Sequence, residues 1–171
     1  MANSEPNEPL FLDPQVMEII ISPGHDYWVK RGEPPLQHGT TSVATVDCLA
    51  GRGLRGDRYA EKRHNHKGQV TFISWHSIDE IRRRFDLPDL PATAFRRNLI
   101  VSGINLAELV GRRFNIQGVE FEGTEECRPC GWMDRVIADG ARTFMQENFR
   151  GGLRAKILSD GVLSTFEHLG N

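Results

Sequence analysis

Residues 114–121, Phe114-Asn115-Ile116-Gln117-Gly118-Val119-Glu120-Phe121, decide the fold. Apolar and polar side chains alternate on both sides of Gln117-Gly118. Phe114, Ile116, Val119 and Phe121 therefore share one face of a hairpin with a two-residue turn. Outward from this hairpin the same signals recur. Val16–Ser22 is a β-branched run between Pro14 and Pro23, and Thr41–Val46, Val70–Ile73 and Leu99–Val101 are further strand candidates. Leu153, Ala155 and Ile157 alternate, Asp160-Gly161 supplies a turn, and Val162–Phe166 returns as a last strand. Helices are few. Ser77 with Glu80 fits a capping box ahead of a helix whose inner face carries Ile78, Ile81 and Phe85 and which Pro88 ends. A second helix is expected over Ala141–Phe149, closed by Gly151-Gly152. Many short strands with few helices predict a mainly β (α+β) protein, a barrel-like curved sheet with peripheral helices. Residues 1–14 read as a flexible N-terminal lead-in, residues 15–171 as one domain, and residues 23–40 as a long surface loop within it.

Composition narrows the function. The chain has 171 residues, 39% hydrophobic and 26% charged, which suits one globular domain. With 21 basic against 23 acidic side chains the net charge is −2, so no broad basic face for nucleic acid is expected. Only four of those 21 cations are lysine; the rest are arginine, the better residue for forked recognition of phosphate and carboxylate. No apolar run is long enough to span a membrane, and the polar first thirteen residues do not read as a secretory signal. Three cysteines, an odd number, argue against a disulfide framework and for a reducing cytoplasm.

Cys127-Arg128-Pro129-Cys130 directly follows the hairpin and is the sharpest chemical feature. Two thiols at this spacing can share a metal, form a redox pair or leave one reactive thiolate, which the neighbouring Arg128 would favour. A structural zinc site needs four ligands. Only one such cysteine pair is present, with His64 and His66 two apart and His38, His76 and His168 scattered. A thioredoxin-like reading expects the pair at a helix start, and Pro129 and Gly131 speak against helix there. Cys48 reads as a core residue. Arg96-Arg97-Asn98, at the mouth of the Leu99–Val101 strand, supplies either forked donors for an anion or a salt-bridged edge. Gly51–Arg58 holds three glycines but matches no phosphate-binding fingerprint, so alone it is a tight turn.

Taken together and in order, these segments resemble the MOSC domain, named for the C-terminal domain of molybdenum cofactor sulfurases. Gly53-Leu54-Arg55-Gly56-Asp57-Arg58 is similar to its glycine-rich segment. Phe95-Arg96-Arg97-Asn98-Leu99 with Gly103, Leu106, Leu109, Gly111 and Phe114 is similar to its central signature. Cys127–Cys130 resembles its cysteine motif and Gly151–Ala155 its late glycine pair, while Gly161–Glu167 lacks the family's usual second Gly-Asp. The resemblance implies a barrel-like fold and a functional cysteine at the position of Cys130, as molybdenum ligand or persulfide carrier. It further implies that Arg96 and Asn98 hold the molybdenum cofactor, with Arg97 and Arg58 as weaker candidates. The length leaves no room for a pyridoxal-phosphate-dependent desulfurase domain. Sulfur or electrons are therefore expected from a partner, a cysteine desulfurase or a reductase. An enzyme of this kind would reduce small N-hydroxylated compounds. A non-catalytic thiol or zinc module using both Cys127 and Cys130 is the alternative.

Overall fold

The computed structural model describes residues 8–24, 37–60 and 66–170. Most of the expected 23–40 loop (residues 25–36), and His64, lie outside them. In chain order the elements are β1 (Leu10–Leu12), β2 (Gln15–Ile21), β3 (Thr41–Val43), β4 (Thr45–Leu49) and β5 (Gly53–Leu54). Then come β6 (Val70–Ser74), α1 (Trp75–Arg84), β7 (Leu99–Ser102), β8 (Arg113–Ile116) and β9 (Val119–Glu126). The last are α2 (Trp132–Val136), α3 (Ala141–Gln146), β10 (Leu153–Ile157), β11 (Gly161–Ser164) and α4 (Phe166–Leu169). Eight strands form one curled sheet in the order β1-β8-β9-β10-β6-β7-β2-β3, and a second sheet has the order β11-β4-β5. The mainly β, curved-sheet expectation holds.

The hairpin of β8 and β9 is present as read. Phe114 pairs with Phe121 and Ile116 with Val119 across a turn whose two central residues, Gln117 (φ 53°) and Gly118 (φ 83°), are both left-handed. That is the backbone a two-residue turn needs to match the strand twist. Phe114 and Phe121 stack at 5.4 Å, and Phe72 of β6 meets them edge-on at 5.9 and 5.5 Å. This aromatic trio lies in one apolar cluster with Val46, Cys48, Leu54 and Leu163 of the small sheet, which therefore covers one face of the large one. A second cluster packs Ile20, Ile73 and Ile100 against Ile78, Ile81, Met133 and Met145 of the helices. Consecutive residues such as Phe72-Ile73 and Leu99-Ile100 thus go to different cores. The central strands are buried on both faces, which explains their unbroken apolar runs.

Several boundaries differ from expectation. Leu10–Leu12, assigned to the flexible lead-in, instead pair parallel with β8. The chain breaks at Ala44, so Thr41–Val46 is two strands in two sheets. The capping box at Ser77 is not formed: β6 runs straight into α1, and Ser74 caps it by accepting from the His76 N–H at 3.2 Å. α3 stops at Gln146, because Asn148 (φ 52°) and Phe149 (φ 59°) are left-handed. The last strand ends at Ser164, and Phe166 starts α4.

Candidate functional site

The Gly53–Arg58 segment brings Asp57 into the interior, where it is 2% exposed. Its carboxylate accepts from the backbone N–H of Ser22 (3.0 Å) and Tyr59 (3.1 Å) and from the Asn98 amide (3.1 Å). Arg58 lies 3.5 Å from the same carboxylate, with its guanidinium over the Tyr59 ring. The Asn98 oxygen accepts from the Thr71 N–H and hydroxyl, and its NH₂ also donates to the Ile20 carbonyl. Asn98 is thereby a buried bolt between β2, β6 and β7.

Arg96 closes the short 3₁₀ turn Ala92–Phe95 in a left-handed conformation (φ 56°) and donates to the Gly24 carbonyl at 3.3 Å. Such a conformation costs a non-glycine residue about 1 kcal/mol, and it sets the direction of the side chain. Arg97, 7% exposed, donates to three backbone carbonyls: Gly151 (2.8 Å), Phe95 (2.9 Å) and Cys127 (3.0 Å). It is a positioning residue, tying the Cys127 segment to the Gly151 turn.

Cys127 continues from β9. Its N–H donates to the Gly152 carbonyl at 2.7 Å, and it is 4% exposed. The register between β9 and β10 shifts between Arg154 and Ala155, a bulge that sets Arg154 beside Cys127. Arg154 lines the same wall as Cys127. Burial works against the Arg154 charge, but Cys127, Tyr59 and Glu125 outweigh it, so its pKa is raised.

These side chains enclose a well of about 60 Å³ lined by Arg58, Arg96, Arg97, Arg128, Arg154 and Cys127, with Tyr59, Thr71, Trp132 and Met133 completing the wall. No carboxylate lines it among the described residues. An adjoining cleft of about 410 Å³, lined by Glu125, Glu126, Arg128 and Arg154, shares two of those arginines. A groove of about 680 Å³ beside α1 holds neither thiol nor arginine among its described lining residues, so the thiol chemistry is not there.

The structure brings Arg58, Arg96 and Arg97 together around one thiol, Cys127. Two expected site residues are placed elsewhere. The resemblance points to Cys130, yet Cys130 is exposed and Cys127 lines the well. Asn98 does not line it either, because its amide is used within the sheet. Arg154 and Arg128 lie within motifs, but nothing in the sequence marks them as lining residues. The one sequence signal for Arg154 was its place between the inward-facing Leu153 and Ala155, beside the glycine pair. Helix α2, starting directly after Gly131, was also missed; the Met133 N–H donates to the Cys130 carbonyl at 3.0 Å. The two thiols of the pair thus occupy different environments, and among the described residues no group of three or more His, Cys, Asp and Glu stands ready to hold a metal.

Burial orders the thiols by reactivity. Cys48 is 1% exposed, and burial, with Asp47 nearby, pushes its pKa from 9.0 up to about 12. With iodoacetamide at neutral pH, Cys130 should label first, Cys127 more slowly, and Cys48 only after denaturation. Peptide mapping of a labelling time course checks this; early labelling of Cys48 would contradict the core packing.

A curled half-barrel with helices on one face and a thiol in an arginine-lined well defines a class of small β protein. The MOSC domain model matches residues 56–166, and the chain belongs to the MOSC domain family. The YuaD protein from Bacillus subtilis is structurally similar, with TM-score 0.68 and 18% identity over 89% of this chain and 91% of that one. YiiM from Geobacillus stearothermophilus gives TM-score 0.64 and 14% identity, covering 88% of this chain and 71% of that one. YiiM from Escherichia coli gives 0.61 and 14%, over 88% of this chain and 65% of YiiM. At these identities the likeness is one of fold. No curated protein matches the sequence. Among the described residues no helix is long and apolar enough to cross a membrane.

Proposed function

We propose that this MOSC protein handles the molybdenum cofactor, or sulfur destined for it, through one thiol in a cationic well. The observation that carries the reading is Cys127 lining a well with Arg58, Arg96, Arg97, Arg128 and Arg154. The donor set suits the group chemically. A thiolate is a strong donor to a thiophilic metal, and arginine forks suit a terminal phosphate. Buried Arg58 also has an Nε without a partner, a donor to which a ligand would bond. Size limits what enters. The 60 Å³ well admits a small terminal group only, while the adjoining 410 Å³ cleft lies in the range of ligand sites. Cys127 would face the metal or sulfur, Arg58 and Arg96 would hold anionic groups, and Arg128 and Arg154 would serve both compartments. When bound, the cofactor supplies two-electron chemistry at molybdenum, and with a partner reductase the substrate class would be small N-hydroxylated compounds. A cysteine desulfurase is the corresponding partner for sulfur loading. Three free cysteines suit a reducing compartment, the cytoplasm.

The test is expression in cells that make the cofactor, followed by molybdenum, pterin and cyanide-labile sulfur analysis per chain. Wild type and Cys130→Ser should retain ligand, and Cys127→Ser should lose it by about 10-fold or more, the effect of removing a strong ligand bond. Wild type carrying neither cofactor nor labile sulfur overturns the reading. Loss in Cys130→Ser alone would move the thiol to the exposed position. Zinc near one per chain, with both variants equally damaged, would establish the zinc module instead.

A further inference from the structure

We propose that the well takes a sulfane-sulfur oxyanion, thiosulfate being the simplest, and that Cys127 accepts sulfur from it directly. This rests on the sulfur-handling reading and adds a donor that needs no desulfurase.

Three observations converge on a small oxyanion. First, a well of about 60 Å³ has room for a small compact group and too little for a fused ring system. Second, five arginines and no carboxylate line the described wall, a lining that suits an anion. Third, the Arg58 side chain is 8% exposed, and its Nε has no partner although the guanidinium is held by Asp57. A buried donor left unpaired is costly, and an oxyanion in the well would relieve it. The thiol adds what a plain anion site would not have. Cys127 lines the same small space, so an anion held there presents its outer atom to the sulfur nucleophile.

The chemistry balances without an external oxidant. The Cys127 thiolate attacks the outer, sulfane sulfur of thiosulfate, and a new sulfur–sulfur bond forms. The bond between the two thiosulfate sulfurs breaks, and its electron pair leaves with the sulfonate sulfur as sulfite. The thiol proton has gone to solvent, and Cys127 is left as a persulfide. This is thiolate displacement at a sulfur–sulfur bond. Arg154, beside the attacking sulfur, with Arg58, Arg96 and Arg128, holds the anion and then the departing sulfite. An acceptor thiolate, or cyanide in a test tube, then removes the outer sulfur.

The experiment incubates purified full-length protein with thiosulfate and reads sulfite release, thiocyanate after cyanide, and the site of added sulfur by peptide mass. Wild type should release one sulfite per chain in a burst and carry the extra sulfur on Cys127. Cys127→Ser should slow release more than about 100-fold, as for a missing nucleophile. Arg154→Met should raise the half-saturating thiosulfate concentration by about 10-fold, the effect of one charged hydrogen bond. The wild-type mapping needs no variant, so a misfolded Cys127→Ser would not protect the proposal. Sulfite release no faster than Cys127→Ser, or sulfur found on Cys130, overturns it. If wild type retains molybdenum and pterin but releases no sulfite, this inference fails while the cofactor reading stands.

Discussion

Gly152→Ala is expected to be among the most damaging single-methyl changes at the described glycines, lowering stability by about 4–5 kcal/mol. Gly152 sits at φ +93°, a conformation that alone costs an L side chain roughly 1–2 kcal/mol. An added Cβ would also fall on the Phe72 carbonyl oxygen and 3.0 Å from its carbon, and both are backbone atoms. Phe72 pairs directly with Leu153, so relief would require β10 to move away from β6 at the centre of the large sheet. The same glycine accepts the Cys127 N–H, so the displacement reaches the well. Gly118→Ala is the matched control. It too has positive φ (+83°), but an added Cβ meets nothing within 4 Å, so the loss there should stay near 1 kcal/mol. Urea denaturation of both variants decides the point: equal losses would mean that conformation alone, not the approach of β6, makes Gly152 necessary. A loss of this size approaches the lower end of the 5–15 kcal/mol that holds a typical domain together.

The same position shows how far sequence reading reaches. Gly151-Gly152 was legible as a special pair, but as a helix stop; that it lets two strands and the thiol segment meet is a tertiary fact. The Phe114–Phe121 hairpin was legible because its turn and alternation are both local. So are the doubly buried central strands, whose unbroken apolar runs are local signals. By contrast, Leu10–Leu12 is only three residues between prolines, and its partner β8 is a hundred residues away. Helix α2 is five residues after a glycine, too short for its propensity to register.

The thiol pair shows the same limit at the site. Spacing marks Cys127-x-x-Cys130 as chemical, but which thiol turns inward depends on hydrogen bonds from Cys127 to Gly152 and from Arg97 to Cys127. Both partners lie far away in sequence. Arg154 was hidden for a related reason, since a bulge against β9 sets its position. Arg97 and Asn98 also hold the fold around the well, a role that the motif alone does not reveal. A strongly patterned residue can be structural, and burial with complete hydrogen bonding is what tells the two apart.

Asp57→Ala tests that last distinction from the other side, with an expected loss of about 4 kcal/mol. The carboxylate is fully buried, and the Arg58 guanidinium beside it is 8% exposed, so neither charge is well solvated without the other. Deleting the carboxylate also strips the Ser22 N–H, the Tyr59 N–H and one Asn98 N–H of their acceptor. Breaking a buried pair in this way typically costs 3–5 kcal/mol, much more than losing an exposed bridge such as Arg83–Asp79. Asp57→Asn keeps one acceptor oxygen and should recover about half of the loss. The well gives the experiment a second readout. Removing a neighbouring negative charge leaves Arg58 more in need of an anion, so millimolar sulfate should stabilise Asp57→Ala more than wild type. Binding to the native state alone raises stability as RT ln(1 + [L]/Kd). A chloride control at equal ionic strength separates binding from screening. A loss below about 1 kcal/mol would deny Asp57 its place as the hub of the site. Equal sulfate responses in the two proteins would mean that Arg58 is not aimed at an anion.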